Sequence, residues 1–151
     1  MSGGRNGRSA AREVWTTSDE EETRDLGERL GREIGPRGRC LLFGEMGSGK
    51  TVVAQGMARA LGIDVREVQS PSFTLVREHS GPGGTLLHVD LHRLEPRELG
   101  AFGLEEILEA DALVVVEWAE RIPEAWRTGA RCFRLERLAE GRRRIREISP
   151  C

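Results

Sequence analysis

The chain has 151 residues, enough for one domain around a single core and too few for a second of ordinary size. A formal charge of −2 and an isoelectric point near 6.0 argue against a general nucleic-acid binder, which would carry a clearly basic domain. Three cysteines, Cys40, Cys132 and Cys151, are odd in number, far apart and without a CxxC pair. They indicate neither a disulfide framework nor a zinc site and suit a reducing cytoplasm. No apolar run approaches a membrane span, and the first residues lack the apolar core of a signal peptide.

Residues 1–12 are small, polar and basic, too poor in apolar side chains to offset the entropy of ordering, and read as a flexible tail before a single domain over 13–149. Glu13 to Thr17 has the β-branched and aromatic content of a short strand. Ser18 with Glu21 makes a capping box, and Leu26, Leu30 and Ile34 form the apolar face of a helix that Gly35-Pro36 ends. Cys40-Leu41-Leu42-Phe43 is a buried strand, and Thr51 to Leu61, with Val53, Met57, Ala60 and Leu61 at helical spacing, is a helix stopped by Gly62. Val65 to Val68 reads as extended, and Gln69 to Ser72 as a polar break. Phe73 to His79 and Thr85 to Asp90 are strands joined through Gly81-Pro82-Gly83-Gly84 as a hairpin. Pro96 opens a helical or irregular piece with Leu104, Ile107 and Leu108 inward. Ala112-Leu113-Val114-Val115-Val116-Glu117 is the most apolar run and has the character of a central parallel strand buried on both faces. Arg131 to Glu136 and Arg144 to Ile148 alternate charged and apolar residues, as two strands with one wet face do. The sum is an α/β fold of the phosphate-loop type, a mostly parallel sheet flanked by helices with an antiparallel hairpin portion.

Between the Cys40–Phe43 strand and its helix lies Gly44-Glu45-Met46-Gly47-Ser48-Gly49-Lys50-Thr51, which fits G-x-x-x-x-G-K-[ST] at every fixed position. The glycines let the backbone turn and approach a polyphosphate, so that successive N–H groups and the helix N-terminus face negative charge. Lys50 can reach the β- and γ-phosphates, and the Thr51 hydroxyl can take one position on Mg²⁺. Lys50 is also the only lysine, every other basic side chain being arginine. A compact ammonium and a planar guanidinium are not interchangeable in a phosphate cradle. A glycine-rich turn that binds nothing is the plain alternative, and the full pattern with both flanks in place argues against it.

Such a loop needs a second acid at the end of a neighbouring strand. Glu117 ends the Leu113–Val116 run, and Asp90 ends Leu86–Val89 less cleanly; each has the alternative of simply leaving a strand for solvent. Thr74 is placed where nucleotide switches sense the γ-phosphate, although a threonine in a strand is commonly surface. His88 shares a strand face with Asp90, and a packed or exposed histidine is the plainer reading of both His88 and His92. Trp118 could stack on a base or fill the core, the commoner use. Arg142, Arg143, Arg144 and Arg146 are a basic cluster that could meet phosphate or form a solvated face. With its single lysine in the loop, the chain has no Asn-Lys-x-Asp guanine-recognition element, which favours ATP. A transporter ATPase would need a longer chain. A small-molecule kinase would want a helical lid carrying arginines, where this chain reads as a hairpin; a module that holds ATP without using it is a third possibility.

Several stretches taken together resemble the TsaE (YjeE) family of small ATPases. They are residues 23–30, the loop Gly44–Thr51, Ser70-Pro71-Ser72-Phe73-Thr74-Leu75-Val76, His88-Val89-Asp90-Leu91-His92-Arg93-Leu94, and Val116-Glu117-Trp118-Ala119-Glu120. The resemblance runs from about Trp15 to Ile148. It implies an ATPase that acts in forming threonylcarbamoyladenosine at position 37 of tRNAs by driving turnover of a complex of TsaD-like and TsaB-like partners. Contact with tRNA would be indirect and no membrane would be involved. It further implies ATP and Mg²⁺ as cofactors, Lys50, Asp90 and Glu117 as catalytic, and Thr51 and Glu117 on the metal. Nucleotide contacts are implied from Glu20, Met46, Gly47, Ser48, Gly49, Lys50, Thr51, Thr74, Asp90, Glu120 and Arg142, with Asp90 near the attacking water and Ser70–Thr74 as a switch-like segment. The chain departs from the family pattern at Ala119, where proline is usual, and at His92, where tyrosine is usual.

Overall fold

The structure is a computed structural model that describes residues 13–69 and 75–151. The expected tail at 1–12, and Ser70 to Thr74 with the switch-like segment, lie outside the described residues.

One seven-stranded sheet carries the chain. Its strands are β1 (Val14–Thr17), β2 (Arg39–Phe43), β3 (Val76–Gly81), β4 (Gly84–Asp90), β5 (Leu113–Glu117), β6 (Arg131–Arg137) and β7 (Arg143–Ile148), in the spatial order β1-β7-β6-β2-β5-β4-β3. The four central strands β6, β2, β5 and β4 are parallel, and antiparallel pairs close both ends: β1 and β7 beside β6, and β3 beside β4. Every residue of β5 is buried, as the expectation for a strand covered on both faces requires.

The helices are α1 (Glu20–Ile34), α2 (Lys50–Ala60), and the short α3 (Leu99–Phe102) and α4 (Leu104–Leu108). Leu26, Leu30, Val53 and Met57 from α1 and α2 meet Cys40, Leu42, Val115, Phe133 and Leu135 in one apolar layer. On the opposite side, Leu99, Leu104 and Leu108 join Leu41, Phe43, Val114, Val116 and Val89. The alternation along β2 and β5 thus feeds two cores, each full side-chain burial contributing roughly 1.5–3 kcal/mol.

Helices α1 and α2 touch backbone to backbone. A Cβ on Gly56 would sit 2.1 Å from the Arg24 carbonyl oxygen, and one on Gly27 would sit 2.4 Å from that of Val53. No larger residue fits at either position, and the close approach brings the start of α1 beside the start of α2.

Four expectations are corrected. The cap of α1 is Asp19, whose carboxylate accepts from Glu22 N at 2.9 Å, while the Glu22 carboxylate accepts from Ser18 N at 2.7 Å. The reciprocal pair is shifted one residue from Ser18 and Glu21, because extended Asp19 presents a charged acceptor to the first turn. Val65–Glu67 forms a 3₁₀ turn instead of an extended piece, since Asp64 accepts from Arg66 N and closes the turn locally. Among the described residues strand β3 begins at Val76, Phe73 and Thr74 of the expected strand lying outside them, and it runs past His79 to Gly81, where pairing with Gly84 leaves Pro82-Gly83 as a two-residue loop. Finally, Cys132 and Cys151 are joined in a disulfide. The pairing of Cys132 with Ile148 between β6 and β7 carries the chain's last residues back to Cys132, a proximity that linear spacing hides. The cysteine pattern therefore says nothing about the redox compartment. Cys40 is free and buried, its thiol pKa pushed up by desolvation.

Candidate nucleotide site

Strand β2 ends at Phe43 and the loop turns through Gly44 to Gly49 before α2 begins at Lys50. The turn tolerates no side chain at its first glycine. At Gly44, with φ 144°, a Cβ would lie 2.6 Å from the Leu135 carbonyl oxygen and 2.7 Å from the Ser48 hydroxyl. Helix α2 has no side-chain cap and no acidic residue in its first turn. Its amide dipoles therefore present positive charge without an internal anion to satisfy it.

The Lys50 ammonium folds back over the loop, donating to the carbonyl oxygens of Gly44 at 2.5 Å and Glu45 at 2.9 Å. It lies 4.4 Å from the centre of the Trp118 ring. Burial lowers the Lys50 pKa below the usual lysine value, opposed by the charges of Glu117, Glu120, Asp90 and Glu45.

Those acids come from parallel pairing. Asp90 and Glu117 are direct partners at the C-terminal ends of β4 and β5, and both are almost fully buried. Glu117 accepts from the Thr51 hydroxyl at 2.9 and 3.1 Å and contacts His88 Nε2 at 2.6 Å. Asp90 Oδ1 accepts from His92 N at 2.9 Å. The chain then turns sharply at Trp118, which holds φ 61°, an unusual conformation for a bulky residue and one that concentrates at functional sites.

Glu20, Met46, Gly47, Gly49, Lys50, Thr51, Asp90 and Glu117 line one cavity of about 430 Å³, within the size range of small-ligand sites. Three of the expected nucleotide contacts stand apart from it. Ser48 is buried behind the loop, its hydroxyl without a hydrogen-bond partner. Glu120 grips the loop from outside, accepting from Gly44 N at 2.8 Å. Arg142 is exposed and does not line the cavity; its neighbour Arg143 does, with Nε 3.5 Å from where a Cβ on Gly49 would be. Arg142 closes the 3₁₀ turn Ala139–Gly141, whereas Arg143 is the first residue of β7. Thr74 lies outside the described residues.

Reading the residues alone raised His88, His92, Trp118 and the Arg142–Arg146 cluster and favoured a plainer role for each; the structure lines the cavity with His92, Trp118 and Arg143 and joins His88 to Glu117. For His88 the signal was the strand face it shares with Asp90. Its bond to Glu117 depends on how β4 and β5 align, which neither strand specifies alone.

The donor set fits the ligands the loop implies. The Thr51 hydroxyl and Glu117 carboxylate are adjacent oxygen donors suited to a hard divalent cation, and the uncapped α2 terminus with Lys50 suits a polyphosphate. Among the described residues no group of three or more His, Cys, Asp or Glu is placed to hold a metal. A cation at Thr51 and Glu117 would thus take its remaining ligands from phosphate and water, as Mg²⁺ commonly does. Among the described residues no helix is long and apolar enough to cross a membrane.

Known proteins align with this architecture over most of its length. Residues 17–145 match the family model described as "Threonylcarbamoyl adenosine biosynthesis protein TsaE". The chain is 38% identical to the tRNA threonylcarbamoyladenosine biosynthesis protein TsaE of Nostoc sp. over 110 residues, 70% of this chain and 67% of that protein. It is 38% identical to the protein of the same name from Mycobacterium tuberculosis over 135 residues, 83% of this chain and 79% of the other. The crystal structure of Bacillus subtilis YdiB superposes with a TM-score of 0.72 at 26% identity, covering 90% of this chain and 84% of that one. A match of this extent, on a sheet and loop of the expected kind, places the chain in the TsaE family.

Proposed function

We propose that this protein is a Mg²⁺-dependent ATP hydrolase of the cytoplasm. It would serve the formation of threonylcarbamoyladenosine in tRNA by driving turnover of TsaD-like and TsaB-like partners, with residues 13–149 as one domain. The observation that carries the reading is the burial of the chain's single lysine at an uncapped helix start, opposite paired carboxylates at two strand ends.

In this reading the loop amides from Met46 to Thr51 and the α2 terminus bind the phosphates. Lys50 leaves the Gly44 and Glu45 carbonyls for the β- and γ-phosphate oxygens. Thr51 and Glu117 would hold Mg²⁺, and His88 fixes the orientation of the Glu117 carboxylate. Bound there, Mg²⁺ would neutralise charge developing on the phosphate oxygens. Asp90 accepts a proton from the attacking water; the new oxygen–phosphorus bond forms at the γ-phosphate as the bond to the bridging oxygen breaks, releasing ADP and phosphate. Glu120 supports the site indirectly by holding Gly44 N. Partners and tRNA are coupled to hydrolysis through conformational change, the transfer chemistry belonging to the TsaD-like partner.

A small-molecule kinase is the second reading, and the segment between α2 and β5 argues against it. There the chain builds the β3–β4 hairpin and two short helices, α3 and α4, where such a kinase places a helical lid.

Weak ATP hydrolysis by the protein alone, rising when TsaD-like and TsaB-like partners and tRNA are added, is the expected result of a phosphate-release assay. Phosphate transfer to a small alcohol with no free phosphate released would overturn the proposal. Glu117→Ala is expected to lower Mg²⁺-dependent hydrolysis by about 100-fold, and Glu120→Ala by only a few-fold. Equal and mild losses would remove Glu117 from the metal.

A further inference from the structure

Asp90 Oδ1 receives a second hydrogen bond from the residue that already donates its backbone N–H. His92 Nδ1 lies 2.8 Å from it. On the far side of the same ring, Arg93 Nε donates to His92 Nε2 at 3.3 Å. A guanidinium nitrogen can only donate, so Nε2 carries the lone pair and the ring proton sits on Nδ1, aimed at the carboxylate. The ring is steadied by Trp118, whose centroid is 6.1 Å away at an interplanar angle of 36°. His92 and Arg93 both line the phosphate cavity.

The geometry points to His92 as a positioning residue for Asp90. Its Nδ1–H, in the tautomer selected by Arg93, holds the carboxylate in the orientation that faces the phosphate cavity. The ring, held by Arg93 on one side and Trp118 on the other, adds a side-chain donor to the backbone donor at the same oxygen and so restricts how the carboxylate turns. A proton acceptor misplaced by a fraction of an ångström toward a small nucleophile loses much of its effect. The assignment rests on the reading of Asp90 as that acceptor.

The side-chain amide nitrogen of asparagine occupies the place of imidazole Nδ1, and that of glutamine the place of Nε2. His92→Asn therefore restores the donor to Asp90 and His92→Gln does not. Steady-state ATP hydrolysis, binding of a fluorescent ADP analogue, and melting temperature are measured on the full chain for wild type, His92→Ala, His92→Asn, His92→Gln and Asp90→Asn. The expected result is a fall in kcat of about tenfold for Ala and Gln, a fall of only about two- to threefold for Asn, and KM and ADP affinity within about twofold of wild type throughout. Equal kcat values for the Asn, Gln and Ala variants would overturn the positioning role, as would a loss confined to KM. Asp90→Asn that hydrolyses ATP like wild type would instead overturn the role of Asp90, a failure distinguishable because it needs no His92 variant to be seen.

Discussion

The two long helices begin side by side at one cavity and end their backbones in opposite ways. At the start of α1, Asp19 caps Glu22 N and three glutamates, Glu20, Glu21 and Glu22, fill the first turn. At the start of α2 there is no side-chain cap, no acid, and a lysine at the first helical position. The dipole of α1 is satisfied by its own sequence, and that of α2 is left for a ligand. Stability and function have been divided between two similar elements, held together by the glycine contacts at Gly27 and Gly56.

The contrast can be broken most severely at Lys50. Lys50→Ala should lower ATP hydrolysis by more than about 100-fold and abolish measurable nucleotide binding while the circular dichroism spectrum stays native. A variant that still turned over ATP normally would show that α2 does not bind the phosphates.

A smaller change makes α2 resemble α1. Val52 lies in the first turn of α2 and lines the cavity, so Val52→Glu puts a carboxylate where the nucleotide would sit. ADP affinity by calorimetry is expected to fall roughly three- to tenfold, with stability unchanged or slightly raised. The converse experiment is Asp19→Ala, which should cost about 1 kcal/mol in urea unfolding and leave ADP affinity unchanged.

The smallest effect is a linkage. The Lys50 pKa is lowered by burial, so the unfolded chain holds this proton more tightly than the folded one. In the alkaline window between the depressed folded value and the ordinary lysine value of about 10.4, the unfolded state binds more protons, and stability rises with pH through that window. Urea unfolding of wild type and Lys50→Met across this range should show wild type gaining relative to the variant as pH rises. Saturating ADP should suppress the gain by keeping Lys50 charged. A parallel pair of curves without ligand would mean that burial does not tax the ammonium.

Much of the scaffold was legible because its signals are local. The apolar run of β5, the turn at Pro82-Gly83, and the stop of α1 at Gly35 depend on residues within a few positions of one another. The α1 cap was misplaced by one residue because Ser18 and Asp19 are both competent caps, and only the backbone angles choose between them. The 3₁₀ turn at Val65 was missed because one aspartate side chain, that of Asp64, outweighed strand propensity.

The sequence alone determined the phosphate loop, from Gly44 to Thr51, since a binding element made of backbone needs only the right glycines, one lysine and one hydroxyl in succession. Only the tertiary structure decided what faces it. The pairing of Asp90 with Glu117, the bond from His88 to Glu117, the hold of Glu120 on Gly44 and the choice of Arg143 over Arg142 join residues far apart in the chain. Strand register sets the first two, and the turns that follow β5 and precede β7 set the others, all properties of the assembled sheet and its connections.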